Sequence, residues 1–140
     1  MKPIVEIQNE IVSEFEFFDD WQDKYAHIID LGRDLDPLDE RYKCEANIVK
    51  GCQSQVWLHS FFDNDHMILE AESDALIVNG LIAILLRVYS DQPPQQITTS
   101  SNDFLKRIGL DKHLSMSRTN GLHALMTEIR KRAADFQIQS

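Results

Sequence analysis

Two cysteines in 140 residues are too few for several classes of site. A protein-held iron–sulfur cluster takes about four thiolate-like ligands, so the cysteine count argues against a cluster scaffold. The N-terminal residues mix acidic with apolar side chains and do not resemble a signal peptide. Two cysteines without an export signal are more typical of cytoplasmic thiols than of a structural disulfide. We therefore expect a cytoplasmic protein with free thiols.

Glycine and basic residues are also scarce. The five glycines are scattered, so no glycine-rich loop is available to cradle a phosphate. Lysine and arginine number 14 against 23 aspartates and glutamates, a net charge of −9, whereas nucleic-acid binding needs clustered cations. The longest apolar run, residues 75–86, is interrupted by Asn79 and is too short to span a bilayer. We therefore expect neither a nucleic-acid partner nor a membrane span.

The rest of the composition is typical of one globular domain, which we predict to span residues 1–140. Hydrophobic residues make up 43% and charged residues 26% of the chain. Helical patterns come first, strand patterns follow, and helical patterns end the chain. This order predicts an α+β fold, with helices packed on one face of a small antiparallel sheet of about three strands.

Two amphipathic helices are predicted before the strands. Apolar residues recur every three or four positions over residues 4–18, which is one face of a helix. A second pattern of this kind covers residues 21–31. Asp19 or Asp20 is placed to cap the start of this second helix, and Gly32 and then Pro37 are placed to end it.

The remaining helices are predicted after the strands. Residues 75–90 are apolar almost all round, which predicts the central buried helix, with Ser73 or Asp74 as its cap. A short helix is predicted over residues 103–108, with Gly109 as its stop. The last predicted helix has apolar residues at helical spacing: Leu122, Leu125, Met126, Ile129, Ala133 and Phe136.

Strand signals occur in the middle of the chain. Residues 55–62 are rich in strand formers, and residues 67–72 alternate between apolar and polar positions. The Asp-Asn-Asp-His sequence at residues 63–66 predicts a turn between these two strands. Ile48 and Val49 have strand character as well and suggest a third strand.

Residues 47–58 combine strand signals with a candidate nucleophile. Gly51 and Cys52 lie between the two strand-like runs, and Gly51 permits the backbone conformations that a tight turn needs. A thiol on such a turn can be presented to a partner while the sheet holds its position. The alternative is a buried cysteine that packs as a small hydrophobic residue.

Three chemistries are open to this thiol. Cys44, Cys52, His59 and His66 are possible metal ligands, but the seven, six and six residues between them lack the short pairs of zinc sites. A cysteine hydrolase needs a histidine beside the thiolate, and no local motif ties one of the five histidines to Cys52. A thiol that carries a group needs only access to a partner and protection from oxidation. The sequence fits this last requirement best.

Four blocks of this sequence resemble the SufE family of sulfur acceptors. They are G-C-Q-S-Q-V-W-L at residues 51–58, S-D-A-L-I-V-N-G-L-I-A at 73–83, H-L-S-M-S-R-T-N-G-L at 113–122 and K-Y-A-H-I-I-D-L-G at 24–32. The blocks occur in family order and cover nearly the whole chain, so the resemblance is specific.

The resemblance implies a function for Cys52. SufE-type proteins accept sulfane sulfur from a pyridoxal-phosphate cysteine desulfurase of the SufS type, hold it as a persulfide, and pass it to the iron–sulfur assembly machinery. Cys52 stands at the position of the persulfide-carrying cysteine. Pyridoxal phosphate belongs to the desulfurase, so no cofactor is implied for this chain. The chain would be a sulfurtransferase-like accessory protein that stimulates the desulfurase.

The resemblance also implies supporting residues. Gly51, Gln53 and Ser54 belong to the turn that presents Cys52. Arg118 matches a family arginine and is expected to stabilise the Cys52 loop or contact the partner. Asp74 is expected either to contact the partner or to cap the central helix.

The implied fold is similar to that of the NifU/IscU iron–sulfur scaffold proteins. A metal-binding or cluster-scaffold protein is therefore the alternative function, although only two cysteines are present. We expect a monomer or a weak homodimer, with a downstream iron–sulfur scaffold complex as the second partner.

Overall fold

The computed structural model describes residues 2–139, so Met1 and Ser140 at the ends of the predicted domain lie outside the described residues. Helices precede and follow a small antiparallel sheet along the chain, and two 3₁₀ turns, Glu40–Tyr42 and Glu45–Asn47, come before the sheet. The helices and strands are, in chain order, α1 (Ile4–Glu16), α2 (Trp21–Arg33), β1 (Val56–Asp63), β2 (His66–Ser73), α3 (Leu76–Tyr89), α4 (Pro94–Thr99), α5 (Phe104–Ile108), α6 (Leu110–His113) and α7 (Met116–Gln139). None of these described helices is both long enough and apolar enough to cross a membrane. The α+β class is as predicted.

The sheet is a hairpin of two strands. β1 and β2 pair in antiparallel orientation along their full lengths. The turn between them consists of Asn64 and Asp65, whose φ angles are 53° and 65°. Asn and Asp tolerate positive φ better than most residues, and two such residues match the twist of a tight hairpin. The predicted turn at residues 63–66 is confirmed.

The prediction of about three strands is wrong, because the lead-in to the Cys52 turn does not form a strand. Ile48 makes a single bridge with Trp57, and the Val49 N–H donates to the Val56 carbonyl at 2.9 Å. The 3₁₀ turn Glu45–Asn47 holds the preceding residues in helical geometry. Only two residues are therefore left to pair with the edge of β1 before the chain turns away.

The core lies between one face of the hairpin and the helices. Alternate strand residues point into it and are buried: Val56, Leu58, Met67, Leu69 and Ala71. α3 is the central helix, as predicted, and its buried side chains include Ile82, Leu85 and Val88, each with no exposed surface. α2 packs along α3, and α4 packs against α7.

Glycines bring α2 and α3 close together. A Cβ at Gly32 would lie 2.7 Å from the backbone nitrogen of Gly80 and 2.9 Å from the Leu76 carbonyl oxygen, and a Cβ at Gly80 would overlap the Ile28 carbonyl oxygen. α2 ends at Arg33, between the two residues predicted to end it, although Gly32 itself lies inside the last turn and is buried. The glycine is explained by helix packing.

The other predicted helix boundaries have mixed outcomes. The Asp20 side chain caps α2 by accepting a hydrogen bond from a backbone N–H of the first turn at 2.8 Å. Gly109 has a φ of 101° and ends α5, as predicted. Neither Ser73 nor Asp74 is the N-cap of α3, because Ala75 occupies that position. The Ser73 hydroxyl nevertheless accepts the Ala75 N–H at 3.2 Å, just before the helix.

Candidate functional site

The turn that carries Cys52 starts with a bend that favours glycine. Gly51 has a φ of 96°, a conformation that residues with a side chain rarely adopt. A Cβ at Gly51 would also lie 3.2 Å from the Cβ of Ala124 on α7, which is a tight contact. Residues 50–54 are called the Cys52 loop. Near its start, at Gly51, this loop has a backbone conformation that few other residues would adopt.

Hydrogen bonds fix the far end of the Cys52 loop. The Gln55 N–H donates to the Asp74 carboxylate at 3.1 Å, and the Asp74 N–H donates to the Gln55 carbonyl at 3.3 Å. The Ser73 hydroxyl donates to the same carbonyl at 2.7 Å. Asp74 and Ser73, predicted as helix caps, thus hold the loop at the end of β2. The prediction that Asp74 contacts a partner stays a prediction.

The Cys52 thiol is half-buried against α7. Its Sγ lies 3.5 Å from the Gly121 carbonyl oxygen, to which the S–H donates. A Cβ at Gly121 would lie 3.6 Å from Sγ, so the missing side chain leaves room next to the sulfur. Burial raises the pKa of the Cys52 thiol, because the thiolate loses water. The thiol is therefore harder to ionise than an exposed cysteine, and it has free space at its side.

A cavity of about 350 Å³ lies beside Cys52 and is called the Cys52 cavity below. Part of its lining is aliphatic: Val56, Val78, Leu81, Leu122 and Leu125. The rest of its lining is polar or lacks a side chain: Cys52, Gln53, Ser54, Ser115, Ser117, Arg118 and Gly121. The structure thus brings the predicted residues Gln53, Ser54 and Arg118 together with Cys52.

Arg118 reaches the Cys52 cavity from the first turn of α7. The Ser115 hydroxyl accepts the Arg118 N–H at 3.4 Å, which ties the start of the helix together. The Arg118 guanidinium donates from Nη1 to the Tyr25 hydroxyl on α2 at 3.1 Å. Arg118 therefore links α7 to α2 beside the cavity. Its predicted role in supporting the loop or binding a partner stays a prediction.

The four residues considered as metal ligands do not come together. Cys44 is exposed, and the His59 ring stacks on Tyr42 with the ring centres 3.6 Å apart. His66 Nδ1 lies 3.0 Å from a carboxylate oxygen of Asp91. Within residues 2–139, no group of three or more His, Cys, Asp or Glu side chains is arranged to hold a metal ion.

A base for a cysteine hydrolase is not part of the described site. No histidine is among the described residues that line the Cys52 cavity, and the Cys52 thiol bonds to a backbone carbonyl. Hydrolases of this type hold the thiolate beside a histidine within hydrogen-bond reach. The described site thus does not bring a histidine to Cys52 as the hydrolase alternative requires.

The sequence predicted no functional role for Gly121, which lies against Cys52, or for Tyr25, which was only part of the apolar pattern of the second helix. Both lie in blocks that resemble the family, and this resemblance was the only signal that could have singled them out. The hydrogen bond between Tyr25 and Arg118 joins residues 93 positions apart, so no local pattern announces it. Such contacts depend on how α2 and α7 pack.

Comparison with protein families decides the relationship. A model of the SufE family, described as an Fe-S metabolism associated domain, matches residues 9–133. The chain belongs to the SufE family. Membership confirms the resemblance read from the four sequence blocks and associates the chain with iron–sulfur metabolism.

Two curated SufE-like proteins are similar to this SufE-family chain. An uncharacterized SufE-like protein of Rhizobium etli is 41% identical over 130 residues, covering 89% of this chain and 88% of the relative. An uncharacterized SufE-like protein of Rhizobium meliloti is 40% identical over 130 residues, covering 89% of this chain and 93% of the relative. The similarity therefore extends over most of both chains.

A solved structure has the same fold as this SufE-family chain. It is the solution structure of a hypothetical protein from Thermus thermophilus, with a TM-score of 0.78 over 96% of this chain and 97% of that protein. The two sequences are 15% identical, so this likeness concerns the fold alone.

Proposed function

We propose that this chain is a sulfur acceptor whose Cys52 takes sulfane sulfur from a pyridoxal-phosphate cysteine desulfurase of the SufS type. The chain then carries the sulfur to the iron–sulfur assembly machinery. The observation that supports this most is the setting of Cys52: half-buried beside a cavity, with free space next to Sγ. Such a thiol can accept one more sulfur atom and keep it away from water.

The proposed step is an exchange between sulfur atoms. The Cys52 thiolate attacks the outer sulfur of the partner's persulfide, and the partner's cysteine leaves as a thiolate. One sulfur–sulfur bond breaks as another forms, so the transfer needs no oxidant or reductant. Pyridoxal phosphate stays with the desulfurase, whose cysteine is free for another turnover. The acceptor therefore stimulates the enzyme.

Burial of Cys52 controls when the attack occurs. The raised pKa of Cys52 disfavours the thiolate, which is the form that attacks and that oxidises. A Cys52 loop that leaves α7 to meet the desulfurase would lose the burial that raises the pKa of the thiol. Docking and activation of the thiol are coupled in this way.

The test is intact-mass analysis after incubation with the desulfurase, pyridoxal phosphate and cysteine. We expect a gain of one sulfur atom and a faster release of sulfide from the enzyme. Both effects should be absent in Cys52→Ser and preserved in Cys44→Ser, the matched control at the other free cysteine. If Cys52→Ser still gains sulfur and stimulates the desulfurase, the proposal is wrong.

A further inference from the structure

We propose that the Cys52 cavity also binds a small thiol that bears a carboxylate, that Arg118 holds this carboxylate, and that the thiol takes the sulfur from Cys52. The release step rests on the proposed function, because it needs a persulfide on Cys52. The binding step does not, because it concerns the unloaded cavity. The size, lining and charge of the cavity support the inference.

The Cys52 cavity is much larger than the single sulfur atom that Cys52 would carry. Its volume of about 350 Å³ falls in the range of small-molecule sites, about 300 to 1,000 Å³. Five aliphatic side chains form one part of the lining, and hydroxyl, amide and guanidinium groups form the other. A few polar groups that converge on an apolar cavity are the usual means of orienting a small ligand.

The charge of the cavity selects an anion. Arg118 is the only charged side chain among the described lining residues, in a chain whose net charge is −9. Arg87 and Arg132 form ion pairs with glutamates, whereas Arg118 donates to the neutral hydroxyl of Tyr25. Its charge is thus available to a ligand. A planar guanidinium matches a carboxylate with two parallel hydrogen bonds, which makes a carboxylate the favoured anion.

The proposed function adds a second feature to the ligand, a thiol that can take the sulfur from Cys52. A thiolate bound by its carboxylate at Arg118 attacks the outer sulfur of the Cys52 persulfide. The bond between that sulfur and Cys52 Sγ breaks, and a new sulfur–sulfur bond forms on the small thiol. Cys52 leaves as a thiolate and recovers a proton from solvent. The outer sulfur keeps its hydrogen and its oxidation state, so the exchange is balanced without another reactant.

The first experiment tests binding on the unloaded protein with two alkylating reagents of similar size. Iodoacetate has a carboxylate and iodoacetamide is neutral, and peptide mass analysis gives the rate at Cys52 and at the exposed Cys44 as an internal reference. We expect the iodoacetate-to-iodoacetamide ratio to be about tenfold higher at Cys52, the size of one hydrogen bond to a charged group. Equal ratios at the two cysteines overturn the inference.

Variants of the site separate the charge of Arg118 from its structural role. Arg118→Gln should lower the ratio at Cys52 to that at Cys44, and Arg118→Lys should keep part of the preference because it keeps the charge. Arg107→Gln is the matched control, since it removes the charge of an arginine that is not among the described lining residues and donates to the Asn9 side chain at 3.0 Å. It should keep the preference. A preference that survives in Arg118→Gln also overturns the inference.

The second experiment tests release without the desulfurase. Cys52 of the Cys44→Ser variant is first converted to a mixed disulfide with a small thiol. Inorganic sulfide then attacks Cys52 Sγ, the small thiol leaves, and a Cys52 persulfide remains. Thioglycolate, mercaptoethanol and cysteamine are then compared at equal thiolate concentration. We expect thioglycolate to remove the sulfur about tenfold faster than cysteamine, with the difference lost when Arg118→Gln is added.

Equal rates for the three thiols overturn the release step. Because the loading is chemical, this result is independent of whether the desulfurase can load Cys52. A failure of enzymatic loading contradicts the proposed function, and a failure of thiol selectivity contradicts the further inference.

Discussion

Two pairs of glycines bring segments of this chain together, and they leave different amounts of space. At the contact of α2 and α3, the absent side chains of Gly32 and Gly80 are replaced by backbone atoms of the opposite helix. At the contact of the Cys52 loop and α7, where Gly51 and Gly121 lie, a side chain at Gly121 would reach only ordinary van der Waals distance from Cys52. The first pair leaves no space for a side chain. At the second contact space remains at Gly121 beside Cys52 Sγ, but not at Gly51, whose Cβ would press on Ala124.

This difference in space indicates that Gly32 and Gly80 serve helix packing, whereas Gly121 serves the site around Cys52. Protein interiors are close-packed. Where backbone atoms of a neighbouring helix occupy the place that a Cβ would take, the glycine allows the two helices to pack closely. Where the place of the Cβ is unoccupied and lies beside a thiol, the glycine leaves room for another atom next to the sulfur. The two regions should therefore respond in different ways to the same substitution of glycine by alanine.

The largest effect is expected for Gly80→Ala. Its Cβ would overlap the Ile28 carbonyl oxygen, so α2 and α3 would have to move apart. We expect a loss of about 3 kcal/mol in the free energy of unfolding, the upper range for overpacking a core. Urea denaturation followed by circular dichroism measures it. Gly121→Ala is the matched control, because it makes the same change in a helix that has room.

Gly51→Ala is expected to have the next largest effect. Alanine at a φ of 96° costs about 1 to 2 kcal/mol, and its Cβ would also press on Ala124. The loop would shift to relieve this strain, so iodoacetamide should modify Cys52 at a changed rate. Gly51→Asn is a useful comparison, because asparagine tolerates positive φ better than alanine does. Equal stability of Gly51→Ala and the unchanged protein would contradict the assigned strain.

The scaffold could be predicted from the sequence because its signals are local. The hairpin turn at residues 63–66, the apolar α3 and the stop at Gly109 depend on residues that are neighbours in the chain. The third strand was wrong because its signal, Ile48 and Val49, was too short to outweigh the adjacent 3₁₀ turn. Whether so short a segment forms a strand depends on the structure of the neighbouring residues.

The candidate site could be predicted only in part. Cys52 and Gly51 have a local pattern, and Arg118 entered through the family resemblance. The cavity could not be predicted, since its lining comes from the Cys52 loop, β1, α3 and α7. The role of Asp74 also depends on packing, because its carboxylate accepts the N–H of a residue 19 positions away. Distances of this length leave no periodic signal.

Asp74→Ala is expected to loosen the Cys52 loop at a smaller cost. The exposed carboxylate accepts one backbone hydrogen bond, so its loss should lower stability by about 1 kcal/mol or less. The loop would leave α7 more often, and neutral iodoacetamide should then modify Cys52 faster. Asp74→Asn keeps an oxygen acceptor and should remain close to the unchanged protein. The idea that Asp74 holds the loop fails if Asp74→Ala leaves the rate unchanged.

The pH dependence of this modification sharpens the same prediction. Burial raises the pKa of Cys52, so in the unchanged protein the rate should reach half its maximum above the ordinary thiol value. In Asp74→Ala the midpoint should fall toward the ordinary value, because a more solvated thiolate loses less water. The measurement uses Cys44→Ser as the background, so that only Cys52 is followed. A midpoint that Asp74→Ala does not move would indicate that burial by the loop is not the cause.

Gly121→Ala should have the smallest effect on stability, and of the opposite sign. Alanine inside α7 is a better helix former than glycine, so the free energy of unfolding should rise by about 0.5 kcal/mol. The new Cβ would nevertheless lie 3.6 Å from Sγ, in the space beside the thiol.

A chemically formed Cys52 persulfide should therefore be displaced from the cavity and lose its sulfur faster to an external reductant such as dithiothreitol. We therefore expect Gly121→Ala to be more stable but to lose the persulfide sulfur faster. This combination would show that the space beside Sγ holds the outer sulfur of the persulfide. An unchanged persulfide lifetime would show that the space beside Sγ is not where the sulfur lies.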